Sequence, residues 1–178
     1  KDIICTDRDW RTREGGLLFN SIYTGEHYDA QAELDGWNLP GYDDSTWRES
    51  SYRSVPSTCL TAQQLHPIRS VETYAARRMT SLSDSVYVFD FGQNMSGVTS
   101  LKVTGEKGTV IRLKHGERLY SNGRVNTSNI DVYHRPVDDS DPFQTDIITL
   151  KGKGEEEFMP KFNYKGFRYV EVISSHPI

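Results

Sequence analysis

The sequence predicts an all-β protein, an antiparallel β-sandwich or barrel, on three observations. Short runs rich in Val, Ile, Tyr and Phe recur along the chain, several with strict apolar–polar alternation. Clusters of Gly, Asn, Lys and Ser separate them, and these are turn residues. Helical signal is poor: the best stretch, residues 57–65, is short, stops at Pro67 and supports no more than a turn.

In chain order, the first sixty residues hold all three tryptophans, Trp10, Trp37 and Trp47, among turn clusters. They are too short and loop-rich to make a self-sufficient domain. Prolines 56 and 67 mark a boundary, so residues 1–58 read as one region, 59–72 as a linker and 73–178 as a β domain. Residues 85–91 are β-branched and aromatic, and Gly92-Gln93-Asn94 ends that strand. Residues 99–103 and 109–115 alternate, and Gly105-Glu106-Lys107-Gly108 joins them as a hairpin. Residues 120–142 are long and polar and read as a surface loop. Further strands lie at 146–150, 157–162 and 167–173, separated by Lys151-Gly152-Lys153-Gly154 and Asn163-Tyr164-Lys165-Gly166.

Composition excludes several classes. The 178 residues carry 21 Lys+Arg and 25 Asp+Glu, a formal charge of −4, and the longest basic cluster is Arg77-Arg78. That argues against a nucleic-acid partner. No apolar run approaches the length of a membrane span. Twenty aromatic residues are too many for a disordered chain. Cys5 and Cys59 lack CxxC spacing and make no disulfide framework; two thiols or one bridge both remain open. The N-terminus has no apolar targeting segment and no initiator Met, so the sequence reads as a processed or excised chain.

Motifs for chemistry are sparse. There is no GxSxG, P-loop or GxGxxG, and the five histidines form no HExxH. His115 reads as a satisfied sheet residue. Asp138-Asp139-Ser140-Asp141 lacks EF-hand spacing and reads as a solvated loop. Asp43 reads as an Asx-turn before Trp47. Sugar recognition is physically open, because pyranose rings offer both C–H faces and hydroxyls. Trp37 and Tyr28 lie near Glu26 and Asp29 in sequence, and these four are the candidate substrate-binding residues; core packing and backbone capping are their competing roles. Glu26 and Asp29 could also form a catalytic carboxylate pair, if held roughly 5–10 Å apart.

Several motifs taken together resemble one family. Residues 22–30, Ile-Tyr-Thr-Gly-Glu-His-Tyr-Asp-Ala, then Gly36-Trp37 and residues 40–47, Pro-Gly-Tyr-Asp-Asp-Ser-Thr-Trp, resemble bacterial α-L-rhamnosidases. So do residues 89–97, 113–119 and 160–172, in order. Gln31 stands where the family motif usually has Arg, and Gly116 sits inside the usual His-x-Glu element. The resemblance implies a galactose-binding-like jelly roll, then a concanavalin-like antiparallel sandwich, then an (α/α)6 barrel carrying an inverting acid–base pair that acts on terminal α-L-rhamnosyl residues. This chain would hold the end of the jelly roll in 1–58 and the sandwich in 73–178. The barrel would be a partner domain elsewhere in the parent chain, and no catalytic residue is assigned here.

The same resemblance implies a non-catalytic part of a rhamnosidase-like glycosidase, giving structural support and binding rhamnosides. An independent carbohydrate-binding module is the alternative. No cofactor is expected; calcium, used by some family members, would have its ligands outside this chain. The parent protein is expected to be periplasmic or extracellular.

Overall fold

The computed structural model describes residues 7–54, 59, 61–134 and 142–178. No α-helix occurs among them, only two single 3-10 turns, at Ala30–Ala32 and Asp131–Tyr133. Two compact units are present: Lys1–Gly15 with Leu34–Val71, and Gly16–Glu33 with Glu72–Ile178.

The first unit contains β1 (Arg11–Thr12) and β4 (Arg48–Glu49), paired antiparallel with Arg11 opposite Glu49. A chain of tight turns precedes β4, closed by the amides of Trp37, Leu39, Tyr42 and Trp47 on carbonyls three residues back. Asp43 accepts the Ser45 amide at 3.0 Å, the expected Asx-turn, and Trp47 meets Tyr42 edge-on. None of the unit's described residues is buried.

The second unit holds the remaining strands. These are β2 (Leu17–Asn20), β3 (Glu26–Asp29), β5 (Arg78–Ser83), β6 (Val86–Gly97), β7 (Leu101–Thr104), β8 (Val110–Gly116), β9 (Arg118–Leu119), β10 (Val125–Asn126), β11 (Thr145–Thr149), β12 (Glu155–Phe158) and β13 (Lys165–Ser174). Seven form one sheet in the order β2-β3-β11-β8-β13-β6-β5, while β7–β12 and β9–β10 are two-stranded ribbons. Alternation explains the centre of the sheet. In β8, Ile111, Leu113 and His115 are fully buried and Arg112 and Lys114 are not. Ile111 and Leu113 meet Ile148, Leu150, Phe167, Val170 and Val172, and the β7–β12 ribbon brings Leu101, Val103 and Phe158 against them. The core therefore lies between the large sheet and the ribbon, as a sandwich requires.

Four expectations need correction. The sheet is mixed, because β3 runs parallel to β11, with Tyr28 opposite Ile148. Parallel neighbours need a long connection, which local pattern does not reveal. Gly105–Gly108 is no hairpin turn: it carries the chain from β7, paired with β12, to β8, paired with β11 and β13. Gly92-Gln93-Asn94 does not end a strand. It bulges within β6, where the register with β13 shifts between Phe167 and Tyr169, and Gly92 supplies a φ of +81°. The polar stretch 120–142 is not simply a surface loop: Gly123 donates to the Tyr120 carbonyl at the turn between β9 and β10, and Val125 is fully buried. The Asp138–Asp141 cluster and Cys5 lie outside the described residues; Cys59 is exposed.

Candidate functional site

Strand β3 carries three of the four candidate residues. Glu26 is buried, and its Oε2 accepts the backbone amides of Lys161 at 2.5 Å and Phe162 at 2.6 Å. Its own amide donates to Asp146 Oδ1 at 2.8 Å. That approach needs Gly25: a Cβ there would lie 2.5 Å from Asp146 Oδ1 and 2.6 Å from the Thr145 carbonyl, at a φ of +149°. Asp146 Oδ1 also takes Lys165 Nζ at 2.7 Å, and Lys165 donates onward to Asn163 Oδ1 at 2.6 Å. Burial pulls the Lys165 ammonium below its ordinary pKa, against the opposing pull of Asp146. Asp146 is fully buried, and its Oδ2 has no hydrogen-bond partner among the described residues.

Tyr28 shares a face with Glu26, two residues along the strand. Its ring lies 5.8 Å from that of Phe158. Its hydroxyl donates to Glu33 Oε1 at 2.7 Å, and Glu33 is ion-paired with Lys151. Burial, then the bond to and charge of Glu33, raise the Tyr28 hydroxyl far above its ordinary pKa. Burial raises Glu33, but the bonds from Lys151 and Tyr28 outweigh it and hold the carboxyl below its usual range. Asp29 Oδ1 accepts the Gln31 amide at 2.9 Å and so caps the 3-10 turn after β3.

Glu26 and Asp29 are therefore both bonded to backbone amides, and the carboxylate pair facing a substrate that a catalytic reading requires is not formed by them. Trp37 belongs to the first unit and is 61% exposed, on a turn where Gly36 adopts a φ of +77°. Its exposed indole is the kind of surface a sugar ring stacks on.

His115 is the satisfied sheet residue expected: it lies fully buried in β8. Its ring bridges Thr99 Oγ1 at 2.7 Å through Nε2 and the Gln144 carbonyl at 3.1 Å through Nδ1. The carbonyl can only accept, so Nδ1 carries the proton and Nε2 accepts from Thr99. Burial, then the charge of Lys165, lowers its pKa from 6.5 to about 4, so the ring is neutral. The signal for this cluster in the sequence is a polar residue at an inward position of an alternating strand.

No group of three or more His, Cys, Asp or Glu side chains among the described residues is disposed to hold a metal ion. The buried carboxylates face Lys165, Arg124 and backbone amides, which does not fit a calcium cage. No helix among the described residues is long and apolar enough to cross a membrane.

The chain matches two family models. Residues 80–177 match the bacterial α-L-rhamnosidase concanavalin-like domain, and residues 1–72 match the α-L-rhamnosidase N-terminal domain. It is 39% identical to an α-L-rhamnosidase of Streptomyces avermitilis over 95% of this chain and 16% of that protein. It is 32% identical to one of Formosa agariphila, over 97% of this chain and 18% of the relative. Among solved structures, the α-L-rhamnosidase of Dictyoglumus thermophilum superposes with a TM-score of 0.84 at 40% identity, covering 96% of this chain and 18% of that one. The Streptomyces avermitilis enzyme complexed with L-rhamnose gives 0.82 at 37% identity, covering 98% and 16%. The chain thus spans about a sixth of the length of the curated relatives it matches.

Proposed function

The chain belongs to the bacterial α-L-rhamnosidase family, and we propose that it is a non-catalytic β module of a rhamnoside-cleaving glycosidase. Its sandwich would brace a catalytic barrel of the same parent chain, at a periplasmic or extracellular location. The observation that carries this reading is the bonding of Glu26 and Asp29. A glycosidase acid and base must face the sugar, and these two carboxylates accept backbone amides instead. Exposed Met159, Phe162 and Tyr164, in the stretch before β13, support a contact with a further domain. The test is release of p-nitrophenol from the aryl α-L-rhamnoside by the purified 178-residue chain. No turnover is expected, and robust turnover overturns the reading.

One observation favours a second reading, an independent carbohydrate-binding module: the exposed indole of Trp37. Calorimetry with rhamnosides would show heat that Trp37→Ala abolishes without unfolding the chain. No heat with any rhamnoside removes this reading.

A further inference from the structure

On the outer face of the seven-stranded sheet, a cleft of about 270 Å³ opens beside β8, β11 and β13. Alternation sets its floor. Ile111, Leu113 and His115 enter the core, so Arg112 and Lys114 project the other way, about 7 Å apart along the strand. The ladder places Lys114 between Thr145 of β11 and Glu171 of β13, and Arg112 between Ile147 and Ile173. Glu171 is already engaged, by Arg124 at 2.6 Å and by the Val125 amide at 2.6 Å. Arg112 and Lys114 enter no ion pair among the described residues. Thr127, Asp131, Pro142 and Phe143 also line it.

We propose that this cleft binds one anionic sugar residue, a hexuronic acid, with its carboxylate held by Arg112 and Lys114. Two half-buried cations on a rigid sheet attract an anion more strongly than the same pair in open water, and the guanidinium fork matches a carboxylate. Thr127 offers a hydroxyl, and Asp131 offers acceptors, for the ring hydroxyls; Thr145 Oγ1, which donates to the Phe143 carbonyl at 3.0 Å, can add only an acceptor. Phe143 offers an apolar surface for the ring's C–H face. Asp131 also disfavours a densely charged anion such as phosphate, and favours a ring that brings one charge and several hydroxyls. The volume sits just below the usual range of small-molecule sites, which suits a single sugar unit. The anionic part of the proposal stands on the cleft alone; the saccharide part rests on the family reading.

Calorimetry on the full 178-residue chain tests it, with galacturonate, galactose and acetate as the probes. Galacturonate and galactose differ only in the carboxylate at C6. Galacturonate should bind at least about tenfold more tightly than galactose, and the binding should weaken toward about 0.5 M salt, where the screening length falls to about 4 Å. Arg112→Ala and Lys114→Gln should each weaken it about tenfold, with melting curves unchanged. Equal affinity for galactose and galacturonate, or no binding of either, overturns the proposal. Acetate binding as tightly as galacturonate overturns it too, by showing an anion site indifferent to the ring. None of these outcomes bears on the rhamnoside-release assay, which tests the family role separately.

Discussion

Arg168 grips both oxygens of Asp90, Nε to Oδ1 at 2.8 Å and Nη2 to Oδ2 at 2.9 Å, at the point where β6 bulges against β13. The Gly92 amide donates to the same Oδ1 at 2.7 Å. One carboxylate thus closes the bulge and ties two neighbouring strands. The bond from Arg168 holds the Asp90 carboxyl below its ordinary pKa.

The pair therefore has a defined pH window. Asp90 is depressed in the folded state, so its contribution is present above the unfolded carboxylate value of about 4 and is lost as pH falls through the lower folded value. Arg168→Ala should lower the melting temperature by a few degrees at about pH 7. Its difference from the wild type should shrink below about pH 3. A difference that stays constant with pH would exclude the ion pair as its cause.

His115 gives the opposite end of the acid range. Its folded pKa, about 4, is depressed below the unfolded value of 6.5, so the unfolded chain binds the proton first. Stability should fall as pH drops from 6.5 toward 4, by on the order of 3 kcal/mol, and this slope should flatten in His115→Gln. In proton NMR the His115 ring should keep its neutral shift down to about pH 5. A midpoint near 6.5 would contradict the buried, doubly bonded ring.

Lys165 and Asp146 form a buried ion pair, with side chains 3% and 0% exposed. Lys165→Met should cost about 3–5 kcal/mol, because it leaves Asp146 charged and without its cation. Adding Asp146→Asn removes that charge and keeps an acceptor for the Glu26 amide, and should recover more than about 1 kcal/mol. Urea unfolding of the two variants decides it; a double variant no more stable than the single would show that charge is not the issue.

Gly25→Ala should destabilise the chain by more than about 1 kcal/mol, since the added Cβ meets Asp146 and Thr145 at a φ that side chains avoid. Gly15→Ala, where a Cβ meets nothing within 4 Å, is the control and should melt as the wild type does.

What was legible in the sequence was local. The alternation of residues 109–115 places Ile111, Leu113 and His115 inward, and the structure buries all three. The Asx-turn at Asp43 and the poverty of helix were legible for the same reason. Strands β2, β3 and β5 were not, because β2 and β5 sit at the sheet's edges with their side chains largely exposed, so they carry little alternation. The candidate residues Glu26, Tyr28 and Asp29 were found as chemistry-bearing types, but what each one bonds depends on Lys161, Glu33 and Gln31. Of these, Lys161 lies 135 residues from Glu26, beyond any local pattern.

The sequence by itself determined the β class, the inward face of β8 and the family motifs, because side-chain period and turn chemistry act over a few residues. Only the tertiary structure decided which strands pair. The parallel contact of β3 with β11, the crossing from β7 to β8 between layers, and the buried Lys165–Asp146 pair join segments far apart in the chain. Such pairings are selected by the shared core and by the need to satisfy buried polar groups, and no short stretch of residues encodes either.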